Sequence, residues 1–275
     1  AASDVYKRQK QHHEKSICFV TGVPGAGKTL VGLNIANERH QYDEQEHAVF
    51  LSGNGPLVAV LREALARDEI KRFKGKITKT ASKRKVAAFI QNIHHFRDAY
   101  LPPSEQVPAE KVAIFDEAQR AWTKEQTAKF MLKRHVPGWN MSEPEFLISV
   151  MDRHQDWTVI ICLIGGGQEI HTGEAGLLAW FDALRDHFPD WNVYVSPQIS
   201  DVEYTHGKPL EHLFTGLRLY REPNLHLSVS LRSFRNERVS AFVKSLLDEN
   251  LPVAQQLFSE LSPNYPITIT RSLEK

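Results

Sequence analysis

The chain has 275 residues, of which 41% are hydrophobic and 24% are charged, and its formal net charge is +1. This composition fits one globular domain, or one domain and part of another, and excludes a low-complexity chain. No apolar run approaches the roughly 18 residues that a bilayer span needs, so no membrane segment is expected. Cys18 and Cys162 both lie in apolar, strand-like runs, which predicts buried, reduced thiols in a cytoplasmic protein.

Short apolar runs rich in β-branched residues alternate with helical patterns along the chain. The runs predict strands over Ser16–Thr21, Ala48–Ser52, Val112–Asp116, Val159–Ile164 and Leu225–Ser228. Apolar periodicity predicts helices over residues 28–39, 56–67, 83–98, 123–133, 143–153, 174–186 and 235–248. Apolar strands that alternate with helices are typical of an α/β fold with a mainly parallel sheet.

The first predicted strand leads into a sequence that matches the phosphate-loop pattern G-x-x-x-x-G-K-[ST] at every fixed position. Its residues are Gly22, Val23, Pro24, Gly25, Ala26, Gly27, Lys28 and Thr29. The glycines let backbone N–H groups approach phosphate closely, and the helix N-terminus adds free N–H groups. Lys28 is expected to reach the β- and γ-phosphates, and Thr29 to place its hydroxyl on Mg²⁺. The loop therefore predicts binding of a nucleoside triphosphate with Mg²⁺.

Two adjacent carboxylates follow another predicted strand. Asp116 and Glu117 come directly after the apolar run Val112–Phe115, which places them at the carboxyl edge of the sheet, where α/β folds bind ligands. Asp116 is expected to hold Mg²⁺, and Glu117 to orient the attacking water. The alternative is two acids that cap the next helix, and the nearby phosphate loop favours the functional interpretation.

Further candidates follow the last two predicted strands. Gln168 comes after the glycines 165–167, where it could sense the γ-phosphate or the attacking water, and the alternative is a flexible turn. Arg232, and secondly Arg235, could stabilise charge in phosphoryl transfer, and the alternative is an ordinary surface arginine.

A basic block stands out in a chain that is otherwise near neutral. Residues 70–85 contain no acid and eight cations: Lys71, Arg72, Lys74, Lys76, Lys79, Lys83, Arg84 and Lys85. The block could contact a phosphate backbone or could form a solvated helix face, and the sequence leaves both open.

These segments together resemble the first RecA-like domain of superfamily 1 helicases, and more closely the Schlafen group 3 type DNA/RNA helicase domain. The segments that carry the resemblance are VTGVPGAGKT (20–29), LSGNGPLVAVLREAL (51–65), IHHFRDAYL (93–101), VAIFDEAQRAW (112–122), LIGGGQEIHTGEAGLLAW (163–180) and SLRSFRNERVSAFV (230–243). The resemblance implies a RecA-like, three-layer α/β/α P-loop NTPase that uses ATP and Mg²⁺ and acts on DNA or RNA.

The resemblance also implies roles for individual positions. Lys28, Thr29, Asp116 and Glu117 match the nucleotide and Mg²⁺ residues. Gln168 matches the glutamine that couples hydrolysis to strand movement, although this segment lacks the aspartate of the generic superfamily 1 motif, and Arg232 matches the arginine after the fourth motif's strand. Ser52, Gly53 and Asn54 fall where such enzymes touch the nucleic-acid backbone.

The same sequence patterns and resemblance predict the domain organisation. Residues 1–10 lack an apolar anchor and are expected to be disordered or artefactual, residues 11–262 to form the ATP-binding domain, and residues 263–275 to begin a truncated second RecA-like domain. Because helicases hydrolyse ATP between two such domains, this chain is expected to bind ATP but to hydrolyse it slowly and not to unwind.

Two hypotheses of function remain. The first is the ATP-binding and hydrolysing domain of a helicase or nucleic-acid-dependent ATPase. The second is a regulatory NTP-binding module that gates a fused effector, such as a nuclease, without unwinding. The same site residues serve both hypotheses, and the sequence does not decide between DNA and RNA.

Overall fold

A computed structural model describes residue 9 and residues 11–42, 47–74, 76–165, 176–200, 214–229 and 237–261. The chain divides into two compact units, Ala1–Ser228 and Val229–Lys275. The predicted boundary between residues 262 and 263 lies outside the described residues and stays a prediction. Among the first ten residues the structure describes Gln9, whose buried side chain donates from Nε2 to the Tyr194 hydroxyl at 3.1 Å.

The first unit is built on a parallel sheet. Its described strands are β1 (Lys15–Gly22), β2 (His47–Ser52), β3 (Ile90–Asn92), β4 (Glu110–Asp116), β5 (Thr158–Leu163), β6 (Asn192–Val195), β7 (Arg218–Arg221) and β8 (His226–Leu227). The order across the sheet is β3-β2-β4-β5-β1-β6-β7, with β8 paired to the end of β1. Each of these pairings is parallel. The carboxyl ends of β1 and β4 therefore lie at one edge, with β5 between the two strands.

Helices cover both faces of this sheet. In the first unit they are α1 (Lys28–Tyr42), α2 (Gly55–Arg72), α3 (Lys79–Phe89), α4 (Ile93–Ala99), α5 (Lys124–Lys133), α6 (Glu143–Asp152) and α7 (Leu178–His187). Several begin at the caps that their sequences provide, such as Thr78 before α3 and the capping box of Ser142 and Glu145 before α6.

Alternate residues of the central strands point into two separate cores. Phe19 of β1 and Phe115 of β4 pack in one core with residues of α6 and α7. Cys18 and Ile114, their neighbours in sequence, pack in the other core with residues of α1, α2 and α3. Because successive strand residues face opposite sides, this division gives three α/β/α layers. The predicted α/β/α fold with a mainly parallel sheet is confirmed.

The two cysteines are buried and not disulfide-bonded, as predicted. Burial raises the pKa of the Cys18 thiol to about 12 and raises the pKa of Cys162 as well. Both groups are therefore protonated, unreactive core residues.

The predicted helix over residues 83–98 is wrong in its middle. The segment forms α3, the short strand β3 and then α4, because Ile90–Asn92 pairs with Phe50–Ser52 of β2. The Asn92 side chain accepts a hydrogen bond from the His94 backbone at 2.9 Å and begins α4. The strand predicted over Leu225–Ser228 is shorter than expected, since Pro223–Leu225 forms a 3₁₀ turn before the two-residue strand β8.

The second unit contains two described helices, α8 (Glu237–Leu247) and α9 (Leu251–Leu261). They pack on each other through a small core of Phe242, Ala254 and Leu261. Across the described parts of both units, no helix has the length and apolar character that crossing a membrane would require.

Candidate functional site

The phosphate-loop sequence forms the turn between β1, which ends at Gly22, and α1, which begins at Lys28. Gly25 and Gly27 have φ angles of 77° and 85°, a region that is open to glycine and costly for other residues. This backbone explains why the pattern requires glycine at the second of these positions. The loop thus ends at the start of a helix, a geometry that favours anions.

Lys28 folds back over the loop. Its Nζ donates to the carbonyl oxygens of Gly22 at 2.7 Å and Val23 at 3.3 Å. The ammonium group is therefore held at the mouth of the loop, where it can exchange these carbonyl contacts for phosphate oxygens.

Thr29 and Asp116 meet although 87 residues separate them. The Thr29 hydroxyl donates to Asp116 Oδ1 at 3.1 Å, and Asp116 is 7% exposed. Two adjacent oxygens suit Mg²⁺, which takes one or two protein ligands and completes its octahedral shell with water and substrate phosphate. The two residues that were predicted to hold Mg²⁺ are thus neighbours, and their chemistry fits that ion.

Asp116 has an unusual ionisation. Its pKa is raised to about 6, chiefly by burial and then by the neighbouring Glu117 carboxylate, whereas Thr29 and Lys28 act in the opposite direction. A buried carboxylate with little compensating positive charge favours either a proton or a cation. A positive charge bound next to Asp116 would therefore be stabilised by its carboxylate.

Glu117 sits in a left-handed backbone conformation, with φ 53° and ψ 47°. Non-glycine residues rarely adopt it, and such conformations cluster at functional sites. The conformation turns the chain from β4 into a short 3₁₀ turn, Ala118–Arg120, and Arg120 N donates to the Glu117 carbonyl at 2.9 Å.

Gln119 is a site residue that the sequence reasoning did not select. It is 1% exposed, and its Nε2 donates to Glu117 Oε2 at 2.6 Å. Its Oε1 accepts from Gly165 N at 3.2 Å, and its carbonyl accepts from Gly176 N at 3.1 Å. Gln119 therefore links Glu117 to both flanks of the segment 166–175. The sequence feature that could have identified Gln119 is its position in the run Asp-Glu-Ala-Gln, two residues after Glu117.

The start of the phosphate loop is supported by β8. Val23 N donates to the Leu227 carbonyl at 3.0 Å. A side chain at Gly22 would meet Leu227 Cβ at 2.8 Å, so this close approach requires glycine. Thr21 Oγ1 lies 2.8 Å from Ser196 Oγ and 2.9 Å from His226 Nδ1, which connects β1 to β8 and to the residue that follows β6, beside the loop.

The segment Ser52–Asn54 lies at the same sheet edge, since Ser52 is in register with Asp116. Ser52 is buried, and its Oγ accepts from Asn54 N at 3.3 Å. Asn54 caps α2 by accepting from Leu57 N at 3.1 Å. Gly53 and Asn54 are the members of this segment that solvent reaches.

The other sequence-predicted residues cannot be placed. Gln168, Arg232 and Arg235 lie outside the described residues, and their roles stay predictions. Within the described ranges, no group of three or more His, Cys, Asp or Glu side chains is arranged to hold a metal ion by itself.

Comparison with solved structures finds helicases with low sequence identity. The helicase domain of Hef from Pyrococcus furiosus is 13% identical, with a TM-score of 0.37 over 74% of this chain and 39% of that one. Unliganded Pif1 from Bacteroides sp. is 10% identical, with a TM-score of 0.32 over 87% of this chain and 43% of that one. The chain thus spans less than half the length of these structures, and no curated protein matches it.

A family model gives a match over nearly the whole sequence. It covers residues 15–275, from the first residue of β1 through the phosphate loop and the Asp116–Glu117 pair to the last residue. On this match the chain belongs to the family described as Schlafen group 3, DNA/RNA helicase domain.

Proposed function

We propose that the chain is the ATP-binding and ATP-hydrolysing domain of a nucleic-acid-dependent motor. The observation that carries this proposal is the contact between Thr29 and Asp116 at 3.1 Å, directly beside the phosphate loop. This contact brings together a helix N-terminus, which can bind phosphates, and a strand end that carries carboxylates. Nucleotides bind at this edge of the sheet in α/β folds.

Each residue of this edge has a role in the proposed reaction. Lys28 and the loop amides bind the β- and γ-phosphates, and Thr29 and Asp116 hold Mg²⁺. Bound Mg²⁺ would neutralise charge on the phosphate oxygens. Glu117 orients a water and accepts its proton while the water oxygen bonds to the γ-phosphorus and the bond to the bridging oxygen breaks. Gln168 and Arg232 remain further candidates for sensing the γ-phosphate and stabilising its charge.

The partners under this proposal are a nucleoside triphosphate and a DNA or RNA strand. Family membership supports a helicase-like domain, and Gly53 and Asn54 are exposed residues at the site edge, where a phosphate can reach them. The second candidate, a regulatory switch that gates an effector, uses the same residues and differs in lacking strand displacement.

ATP turnover tests the proposal. Hydrolysis should be measured with and without single-stranded DNA and RNA, in this chain and in a longer protein that contains it. Lys28→Ala should abolish turnover by removing phosphate binding, whereas Glu117→Gln should abolish turnover and keep binding. Turnover that survives both substitutions would refute the mechanism. ATP hydrolysis by the longer protein without strand displacement would favour the switch.

A further inference from the structure

The second half of α2, the following turn and the first seven residues of α3 form a basic segment, defined here as residues 63–74 and 76–85 and called the basic hairpin. It contains nine Lys and Arg residues and three carboxylates, a net charge of +6 in a chain whose total is +1. The remainder of the chain is therefore net negative. Positive charge is therefore concentrated in these two helices and the turn between them.

The three carboxylates of the basic hairpin are each engaged by cations. Glu63 contacts Arg67 at 2.8 Å, Lys79 at 3.2 Å and Lys83 at 2.7 Å. Asp68 pairs with Arg72, and Glu69 pairs with Lys85. Hydrogen bonds from Lys83, Arg67 and Lys79 lower the pKa of Glu63 to about 2. Because the single Glu63 carboxylate is shared by three cations, this cluster keeps a net positive charge.

Four further cations extend into solvent: Lys71, Lys74, Lys76 and Arg84. Within the described part of the chain, none of the four has a carboxylate partner at ion-pair distance. They flank the turn between α2 and α3 or lie on the outer side of α3, so their charge is available to an external anion.

The hairpin holds these cations on an ordered scaffold. Ser82 is fully buried and donates to the Ala66 carbonyl at 3.1 Å, which fastens α3 to α2. Thr78 caps α3 by accepting from Ala81 N at 3.2 Å. A preorganised array loses less entropy on binding a polyanion than a disordered basic tail does.

The end of α2 and the turn after it, which carry Lys71, Lys74 and Lys76, lie far from the phosphate loop's edge of the sheet. Gly55, the first residue of α2, follows the carboxyl end of β2, and the helix runs 18 residues to Arg72. At 1.5 Å per residue this distance is about 26 Å. The turn after α2 therefore lies at the opposite end of the helix from Asn54 and Asp116.

We propose that the basic hairpin binds the phosphate backbone of a nucleic acid, at a position separate from the nucleotide-site edge. The inference rests on the proposed function in taking nucleic acid as the partner. The contact is electrostatic and independent of base sequence, because lysines meet phosphates and release counterions without reading bases. Phe73 is 49% exposed and is the aromatic side chain within the hairpin, so stacking on successive bases is not part of the proposal.

The test compares three forms of the chain: the wild type, Lys71→Gln/Lys74→Gln/Lys76→Gln, and the charge-conserving Lys71→Arg/Lys74→Arg/Lys76→Arg. Affinity for a fluorescent 20-nucleotide single strand of mixed sequence is measured between 50 and 200 mM KCl. The Gln variant should bind at least about tenfold more weakly at 100 mM, and its log–log salt slope should be smaller in magnitude by about 2. The Arg variant should match the wild type.

Several results would overturn the inference. Equal affinity and slope in the wild type and the Gln variant would make the hairpin a solvated surface. An equal loss of oligonucleotide affinity in the Gln and Arg variants would show that affinity depends on the shape of the lysine side chains and not on their charge. Hairpin-dependent binding to vesicles with 20% phosphatidylserine, without a change in oligonucleotide affinity, would assign the surface to membranes.

Two accompanying measurements keep the inference separate from the proposed function. Circular dichroism should show the same helix content in all three forms. MgATP binding should be unchanged by the Gln variant, since the three lysines are remote from the phosphate loop. Loss of oligonucleotide binding with intact MgATP binding supports the hairpin contact even if the chain proves not to hydrolyse ATP.

Discussion

Gln119 Nε2 lies 2.6 Å from Glu117 Oε2, while Gln119 Oε1 accepts a hydrogen bond from Gly165 N, two residues after β5 ends. The amide of Gln119 therefore fixes one oxygen of the carboxylate that was predicted to orient water. It also ties that carboxylate to the segment in which Gln168 lies. The Gln119 side chain is thus a direct hydrogen-bonded link between the Gly165 backbone and the Glu117 carboxylate.

Gln119→Ala should lower ATP turnover by up to ~100-fold, since a misplaced catalytic group costs about that much. The affinity for MgATP should stay close to that of the wild type, because the described hydrogen bonds of the Gln119 side chain go to Glu117 and Gly165 and not to the phosphate loop. Steady-state kcat and the dissociation constant of a fluorescent ATP analogue, measured on the same preparation, separate these two effects.

Arg120→Ala is the matched control for Gln119→Ala. Arg120 lies in the same 3₁₀ turn and is exposed, so its removal leaves the Glu117 carboxylate contact in place. It should keep wild-type turnover. If Gln119→Ala turned over as fast as Arg120→Ala, Gln119 would have no part in orienting Glu117.

Gly32→Ala should destabilise the first unit although alanine favours helices. A Cβ at this position of α1 would lie 2.8 Å from Leu163 Cδ1, 3.0 Å from Ile114 Cγ2 and 3.1 Å from a Phe50 ring atom. Overpacking of this kind costs about 1–3 kcal/mol, which exceeds the helix-propensity gain of ~1 kcal/mol.

Urea unfolding measures the effect of Gly32→Ala, with Gly55→Ala as its control. A Cβ at Gly55 of α2 would meet its nearest neighbour, Asn92 Nδ2, at an ordinary 3.8 Å. Gly55→Ala should therefore leave the unfolding midpoint unchanged or raise it slightly. Equal midpoints for the two variants would show that α1 does not need its close approach to the sheet.

Glu143→Ala should cost about 3–5 kcal/mol of unfolding free energy, because it leaves the buried Arg97 without its buried partner and with Asp98, at 3.4 Å, as its remaining carboxylate contact. Glu143 contacts Arg97 at 3.1 Å, and the two side chains are 3% and 0% exposed. Glu143 Oε2 also accepts from Trp122 N at 3.0 Å, so the loss would extend to the segment after the site carboxylates.

A surface pair provides the comparison for Glu143→Ala. Asp190 contacts Arg218 at 2.6 Å, but the side chains are 85% and 57% exposed. Asp190→Ala should cost less than about 1 kcal/mol, as solvent-exposed pairs do. Chemical denaturation of both variants checks the contrast, and similar losses would contradict the assignment of a buried network.

Acid should destabilise the chain in part through His154. Burial lowers the pKa of His154 below its ordinary value of 6.5, with further influence from the Glu110 carbonyl, Lys111, Asp156 and Lys15. The unfolded state therefore binds the proton more readily, and this contribution to stability is lost as the pH falls from about 6.5 through the lower pKa of the folded state. His154→Gln should show a smaller loss of unfolding free energy between pH 7 and pH 5 than the wild type does.

The difference between the two proteins isolates His154, since the other titrating groups are common to both. His94, whose pKa burial also lowers, is one such group, and Glu110, whose pKa burial raises, is another. Parallel stability curves over this pH range would mean that His154 is protonated equally well in the folded and unfolded chain.

The site could be predicted from sequence wherever its chemistry is local. The phosphate loop needs glycine at Gly25 and Gly27 for their backbone angles, and the apolar strand before Asp116 places that carboxylate at the sheet edge. The loop and the strand with its carboxylate are each encoded by residues that are consecutive in the sequence, so a local pattern predicts them. The α/β/α layering followed from the same apolar runs.

The missed features depend on distant partners. The strands β6 and β7 have four residues each, and β7 is largely exposed, so neither shows a strong local pattern. The strand β3 exists because β2 pairs with it, within a segment whose periodicity is helical. The Gln119 side chain is held by a hydrogen bond from Gly165, which lies 46 residues away.

Calorimetric titration of the chain with ATP, with and without Mg²⁺, tests the central claim most directly. The account predicts Mg²⁺-dependent binding in the wild type and in Glu117→Gln, because Glu117 acts on water and not on the phosphates. It predicts loss of that binding in Lys28→Ala, whose ammonium group lies at the mouth of the loop. Equal ATP affinity in the wild type and Lys28→Ala would contradict the assignment of Gly22–Thr29 as the nucleotide site.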